Sequence, residues 1–268
     1  QRIASVSEKI VPVMATLYLI GGLVILIARI RYIPETIGMI FKYAFVPNAL
    51  IGGSIGYALK TAISQGVKRG LFSNEAGMGS APNVAATAFV SHPVKQGLIQ
   101  TLGVFTDTLI ICSCTAFIIL FSGAPLDGST NGVQLTQHAL NNEIGSIGGI
   151  FVAVALFFFA FSSIIGNYYY GEANIRYLTH KRWIVYLYRL LVGGMVWVGA
   201  MSTLDFVWGL ADITMGLMAI CNLIAIAFLG KYAFRLLQDY REQKKSGIKS
   251  PVFTKNKMKD IEKDIECW

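Results

Sequence analysis

Charge is what this chain has least of. Only 14% of its 268 residues are Asp, Glu, Lys or Arg, while 54% are hydrophobic. A soluble domain carries about 25% charged residues, so the composition argues against one and for a polytopic membrane protein. Cysteine is scarce as well, at four, and in no metal or redox spacing: Cys112 and Cys114 share one apolar run, Cys221 lies in another and Cys267 in the tail. Two residues apart, Cys112 and Cys114 face different sides of a helix and read as small apolar packing residues. The three histidines, His92, His138 and His180, fall in expected loops, which argues against a His-based metal centre. There is no Gly-rich phosphate loop with Lys-Ser/Thr, no HExxH and no nucleophile elbow. An enzyme is therefore not expected, an intramembrane one included, and no cofactor is implied.

What is present is a series of apolar runs near the 20 residues that a bilayer core requires. Six spans are expected, at 10–30, 49–90, 96–122, 148–170, 183–201 and 206–230. The second is never uniformly apolar, being interrupted by Lys60, Lys68 and Arg69, and reads as one span broken in the middle. A short amphipathic turn is expected around 37–45, and 123–147 reads as a polar loop without Lys or Arg. The organisation predicted is a transmembrane domain over 1–230 and a basic tail over 231–268. Lys95, Arg176, Lys181, Arg182 and the tail share one face, so both ends of this segment are expected to be cytoplasmic, although Arg29, Arg31 and Lys42 fall on the other side. The tail then reads as a membrane flank rather than a nucleic-acid contact. The partner expected is a lipid bilayer. Gln1-Arg2-Ile-Ala-Ser reads as the middle of a longer protein, so a fragment is expected.

The most informative stretch is Gly70-Leu-Phe-Ser-Asn-Glu-Ala-Gly-Met-Gly-Ser-Ala-Pro82. Gly costs a helix interior about 1 kcal/mol relative to Ala, and Pro removes a backbone donor. Irregular backbone at membrane depth survives only where protein packs it or where it lines a cavity. A half-helix ending near Phe72 would expose carbonyls to a cation, and one starting near Gly79 would offer N–H groups to a carboxylate. Gly77 and Gly79 allow backbone to approach a ligand. Phe72 and Met78 are candidate walls of a small apolar pocket. Glu75 in a bilayer costs about 2.5–3.5 kcal/mol and calls for a partner or a task. The alternative is a cytoplasmic loop with Glu75 solvated.

Ser162-Ser163 lies in a very apolar helix, and its hydroxyls suit a hard cation if carbonyls complete the shell. On the residues alone, back-bonding to the helix or packing at a tight interface is the preferred reading. Asp107, between Thr106 and Thr108, either binds an ion or substrate or pairs with a buried donor. Asp212, near Trp208, is comparable. Trp197 and Trp208 read as interfacial anchors, and Tyr168-Tyr-Tyr170 with Glu172 and Arg176 as a structural helix end.

The Gly70–Pro82 motif closely resembles the signature of the alanine or glycine:cation symporter family. Glu8-Lys-Ile-Val-Pro-Val-Met14, His92-Pro-Val-Lys-Gln-Gly97 and Tyr169-Tyr-Gly-Glu172 are further resemblances, and the likeness runs through all six spans. It implies an all-α, LeuT-like inverted-repeat transporter, of which this chain is the C-terminal portion with core helices five to ten. The family's first core helix is not in this chain, so further N-terminal helices are implied as a partner. The activity implied is sodium-coupled import of alanine, glycine or a similarly small neutral amino acid across the cell membrane. Phe72, Ser73, Asn74, Ala76, Gly77, Met78 and Gly79 would then contact the amino acid, with Trp208 a lid or pocket wall. The resemblance reverses the reading of Ser162 and Ser163, making them ligands of the sodium co-substrate. Glu75 and Asp107 become coupling acids in the alternative of a proton-coupled carrier. A truncated, non-transporting membrane fragment is the remaining alternative.

Overall fold

The computed structural model describes residues 2–45, 55–123, 132–261 and 265, and among these it contains helices and turns but no strand. Ten α-helices run in order: α1 Arg2–Ala28, α2 Ile33–Phe45, α3 Ile55–Asn74, α4 Ala81–Ala85, α5 Pro93–Phe105, α6 Cys112–Phe121, α7 Val133–Ile144, α8 Ser146–Leu178, α9 Arg182–Met201 and α10 Leu204–Lys245. A π-helical turn, Thr106–Ile111, joins α5 to α6 as one continuous rod. Among the described residues, five helical segments are long and apolar enough to cross a membrane: Val11–Ala28, Pro93–Phe121, Ser146–Leu178, Arg182–Met201 and Leu204–Lys245.

The expected broken span is the one that does not meet that measure. Its start, 49–54, lies outside the described residues, and α3 carries three cationic residues along its length. Two polar stretches turn out more helical than their composition suggests. The amphipathic turn expected at 37–45 is the 13-residue α2. Within the expected loop 123–147 sits α7, which places His138 on a helix rather than in a loop. Helix α7 forms because Leu135, Ala139 and Leu140 recur at helical spacing and reach a core.

The chain divides into two compact units, 1–67 with 106–192, and 68–105 with 193–268. In the first, Ile25 of α1, Cys114 and Ile118 of α6, Ala139 and Leu140 of α7 and Val152 of α8 form the buried core. Close approach is set by glycine. A Cβ on Gly22 would collide with the Cys114 sulfur, and one on Gly148 would lie 2.5 Å from the Leu140 carbonyl oxygen. Small residues at such contacts let helix backbones meet where lipid supplies no hydrophobic drive. Tyr18 and Thr115 hydroxyls share a 2.5 Å hydrogen bond, and Arg29 donates to Glu143 through Nε and Nη2 at 3.1 and 3.2 Å. The first ties α1 to α6, and the second ties the end of α1 to α7.

In the second unit α5 packs on α10, which continues as helix well past the apolar run that ends near Gly230. Most of what was expected to be a basic tail is therefore ordered. Residues 246–261 turn back and strap the start of α5. The Phe253 amide donates to the Ser91 carbonyl at 2.9 Å, and the Ser91 hydroxyl to the Pro251 carbonyl at 2.9 Å. Lys95 reaches Ser91 and Ser250, while Gln243 holds both the amide and the carbonyl of Val252. His92, fully buried, sits against the rings of Tyr240 and Phe253. Its Nδ1 accepts from the Val94 amide, so Nε2 donates to Asp239, 3.4 Å away.

Two outcomes are expected from this packing. Gly22→Val should lower the thermal unfolding midpoint in detergent, by a cost of about 1–3 kcal/mol for overpacking. Gly38→Ala, with open space around the new methyl, should not lower it. The second concerns acid. Burial holds the His92 imidazole below its ordinary pKa, against the opposing pull of Asp239 and with a small further push from Lys95. With the strap undocked, His92 is exposed and binds a proton that it refuses when covered, so docking is complete above the ordinary histidine value of about 6.5 and weakens as pH falls below it. Trypsin cleavage at Lys255 and Lys257 should accelerate between pH 7.5 and 5.5, and His92→Gln should remove that acceleration.

Candidate substrate and ion site

Helix α3 runs on through Phe72 and Ser73 and stops at Asn74, two residues beyond the expected break. It stops because Glu75 takes a left-handed backbone, φ +54°, which a helix cannot continue. Gly77 and Gly79 follow at φ +86° and +90°, the region that glycine enters without steric cost. The turn is closed from within. The Asn74 side-chain oxygen accepts from the Ala76 amide at 2.9 Å, and the Glu75 carbonyl from the Met78 amide at 3.2 Å. The Ser80 hydroxyl donates to the Glu75 carboxylate at 2.5 Å. Asn83 donates to the carbonyls of Gly79 and Ser80 at 3.3 and 3.1 Å.

The second half-helix is a correction to expectation. It begins at Ala81, two residues past Gly79, but as α4 it lasts only five residues, too short to act as a dipole end aimed at a carboxylate. Just past its end, Thr87 turns its hydroxyl back to the Val84 carbonyl, a bond that competes with further helix.

One residue that sequence reasoning passed over holds this turn, and a cluster that it weighed lightly lies at the end of α3. Asn222, on α10, donates its amide to the Gly77 carbonyl at 2.9 Å, and a Cβ on Gly79 would lie 3.1 Å from the same side chain. Asn222 is flanked by Ala219-Ile-Cys221 and Leu223-Ile-Ala225. The turn therefore lies beside an apolar stretch of α10. A lone Asn in such a run was the available signal. Arg69 stacks 3.9 Å above the Trp208 ring and, with Lys68, pairs with Asp212 at 3.5 and 3.3 Å. Trp208 meets Phe72 edge-on, ring centroids 4.8 Å apart.

Of the expected substrate residues, Phe72, Ser73, Asn74, Ala76, Gly77, Met78, Gly79 and Trp208 all belong to the second unit, and Phe72 and Trp208 form one aromatic wall. Phe72 remains 42% exposed, whereas Met78 is buried. Ser162, Ser163 and Asp107 belong to the first unit. The Ser162 hydroxyl donates to the Phe159 carbonyl at 3.0 Å, which uses its proton and leaves its lone pairs. The Ser163 carbonyl accepts from Asn167 at 3.0 Å. Asp107 occupies the π-helical turn, a feature that recurs at functional sites.

A family model described as the sodium:alanine symporter family matches residues 1–255. A probable sodium/glutamine symporter of Bacillus subtilis (strain 168) is 49% identical over all of this chain and 55% of its own length. A putative sodium/proton-dependent alanine carrier protein of the same organism is 42% identical over 94% of this chain and 54% of its own. A sodium/alanine symporter of Methanococcus maripaludis is 40% identical over 90% of this chain and 52% of its own. The chain thus spans about half the length of the curated relatives it matches.

The contact between Asn222 and the turn yields a test. Asn222→Ala leaves the Gly77 carbonyl without this donor, at a cost of about 1–3 kcal/mol. Gly79→Ala adds left-handed strain of about 1–2 kcal/mol and the 3.1 Å contact. In the double variant the close approaches to Asn222 Cγ and Oδ1 are removed, while the approach to Cβ and the strain stay. Unfolding midpoints should therefore show a combined loss smaller than the sum of the two.

Proposed function

This chain belongs to the sodium:alanine symporter family, and on that premise we propose that it forms part of a carrier importing a small neutral amino acid, alanine or glycine, with sodium. The carrier works by alternating access and has a LeuT-like inverted-repeat fold to which this chain contributes core helices five to ten. Both ends of the segment are cytoplasmic. The observation that carries the reading is the left-handed turn 75–80, clamped by Asn222 beside an apolar helix. Such a turn places backbone N–H and C=O groups within reach of a zwitterion where hydrocarbon alone would reject one.

In this reading Phe72 and Trp208 wall the pocket, Ser73, Asn74, Ala76, Gly77, Met78 and Gly79 shape it, and Ser162 and Ser163 ligate sodium. Coupling is energetically sufficient. A potential of 100 mV contributes about 2.3 kcal/mol per sodium, and a tenfold gradient roughly 1.4 kcal/mol. One ion then supports accumulation of several hundredfold.

A second reading is favoured by the sodium/proton-dependent name of one relative. There Glu75 or Asp107 takes a proton on each cycle. The glutamine named for another relative makes side-chain size an open choice within the same site, since one methylene is worth only about 1–3 kcal/mol.

Uptake of labelled alanine by the full-length protein in proteoliposomes separates these readings, with unlabelled glycine and glutamine as competitors. An inward sodium gradient at fixed pH should drive accumulation, and Ser163→Ala should abolish the sodium dependence. Uptake that ignores sodium and follows a proton gradient would overturn the sodium assignment. Absence of uptake under either gradient would overturn the carrier reading.

A further inference from the structure

Helices α8 and α9 are joined by only Thr179-His180-Lys181, and both are long and apolar enough to cross a membrane. Their junction must therefore lie at a membrane surface. A cavity of about 400 Å³ opens there, lined by Arg176, Thr179, His180, Arg182, Tyr186 and Arg189, with Val185 at its base. Glu172 compensates part of this charge, pairing with Arg176 at 2.6 Å and with Arg189 at 3.3 Å. Arg182 has no carboxylate partner among the described residues. Three guanidiniums facing one carboxylate leave the cavity cationic, and Arg189 is further oriented by its 2.9 Å bond to the Tyr168 hydroxyl.

The rim has the opposite character. Tyr177 and Leu178 are 87% and 81% exposed, and Trp183, Leu187 and Leu190 are exposed beside them. Tyr and Trp at such a level are headgroup-depth anchors, and the leucines suit acyl chains. Guanidinium forks match phosphate oxygens in pairs, which a lysine cannot do. Basic pockets between membrane helices bind anionic headgroups on this basis.

We propose that the Arg176–Arg182–Arg189 cavity at the α8–α9 turn binds the phosphate of one anionic phospholipid, whose acyl chains run along the exposed apolar flank of the turn. Arg182 supplies the uncommitted guanidinium. Arg176 and Arg189 turn toward the phosphate while keeping Glu172. The site lies wholly within the first unit and does not depend on which cation drives transport.

The experiment is a lipid titration of the purified full-length protein in a neutral detergent, read by thermal unfolding. Short-chain phosphatidylglycerol should raise the midpoint saturably, whereas phosphatidylcholine should not. Arg182→Gln should raise the half-saturating concentration about tenfold, while Arg241→Gln, on the exposed surface of α10, should leave it unchanged. An equal response of all three proteins would overturn the site. Inorganic phosphate acting at the same concentration as the lipid would overturn the lipid assignment in favour of a free anion. Should Arg182→Gln fail to fold, the unaltered protein still decides. Phosphatidylglycerol should protect Arg182, but not Arg241, from phenylglyoxal, and equal labelling of Arg182 with and without lipid would overturn the proposal.

Discussion

A backbone carbonyl or amide that meets hydrocarbon without a partner costs several kcal/mol, and the turn at 75–80 is built under that constraint. Glycine at positions 77 and 79 lets the chain leave the helix, but it also strips away side chains that would shield the backbone. Shielding comes instead from three asparagines. Asn74 takes up the Ala76 amide, Asn83 bonds the Gly79 and Ser80 carbonyls, and Asn222 reaches from α10 to Gly77. The polar residues at the break are thus the means by which the break persists beside an apolar helix. What the turn can offer a ligand is whatever backbone polarity those amides leave unspent.

Much of this was legible in the residues. Long apolar runs announce their helices, because length and composition are local properties. Gly77 and Gly79 announced a departure from helix for the same reason. What escaped was everything set by contact. Asn222 is one polar residue in an apolar run, and only its placement against Gly77, far away in sequence, shows its use. Trp208 and Asp212 share a face of α10 at i,i+4, but no spacing rule brings Arg69 to them. Helix α7 was hidden because its apolar face is narrow and its other residues are polar, so a loop and an amphipathic helix look alike until Leu140 is seen in the core. The extent of α4 was misjudged because hydroxyl back-bonding at Thr87 acts against a composition that permits helix.

The few charges of this chain are used in small clusters rather than spread. Arg29 meets Glu143, Lys68 and Arg69 meet Asp212, and Asp239 meets His92 and Lys257. An exposed ion pair in water contributes about 0–1 kcal/mol, so in this chain such pairs act chiefly as registration marks between segments distant in sequence. The same economy explains the ordered C-terminal strap. Residues 246–261 have little apolar surface of their own, and they dock through backbone hydrogen bonds to Ser91 and Gln243 and by burying Phe253, Pro251 and Met258.

The π-helical turn at Thr106–Ile111 carries a consequence of bookkeeping along the rod Pro93–Phe121. A turn of this kind holds about one residue more than an α-turn, and each residue advances a helix by roughly 100°. Residues of α6 are therefore displaced by about that angle from where an unbroken α-helical period through the turn would put them, and Cys114 and Ile118 reach the core from the displaced position. The deletion of a single residue here would shorten the rod by hardly more than an ångström, yet it would swing the α6 core face away from α1. Alignments with relatives that lack the extra residue would show this as a one-position gap in the middle of a span, where gaps are usually treated as errors.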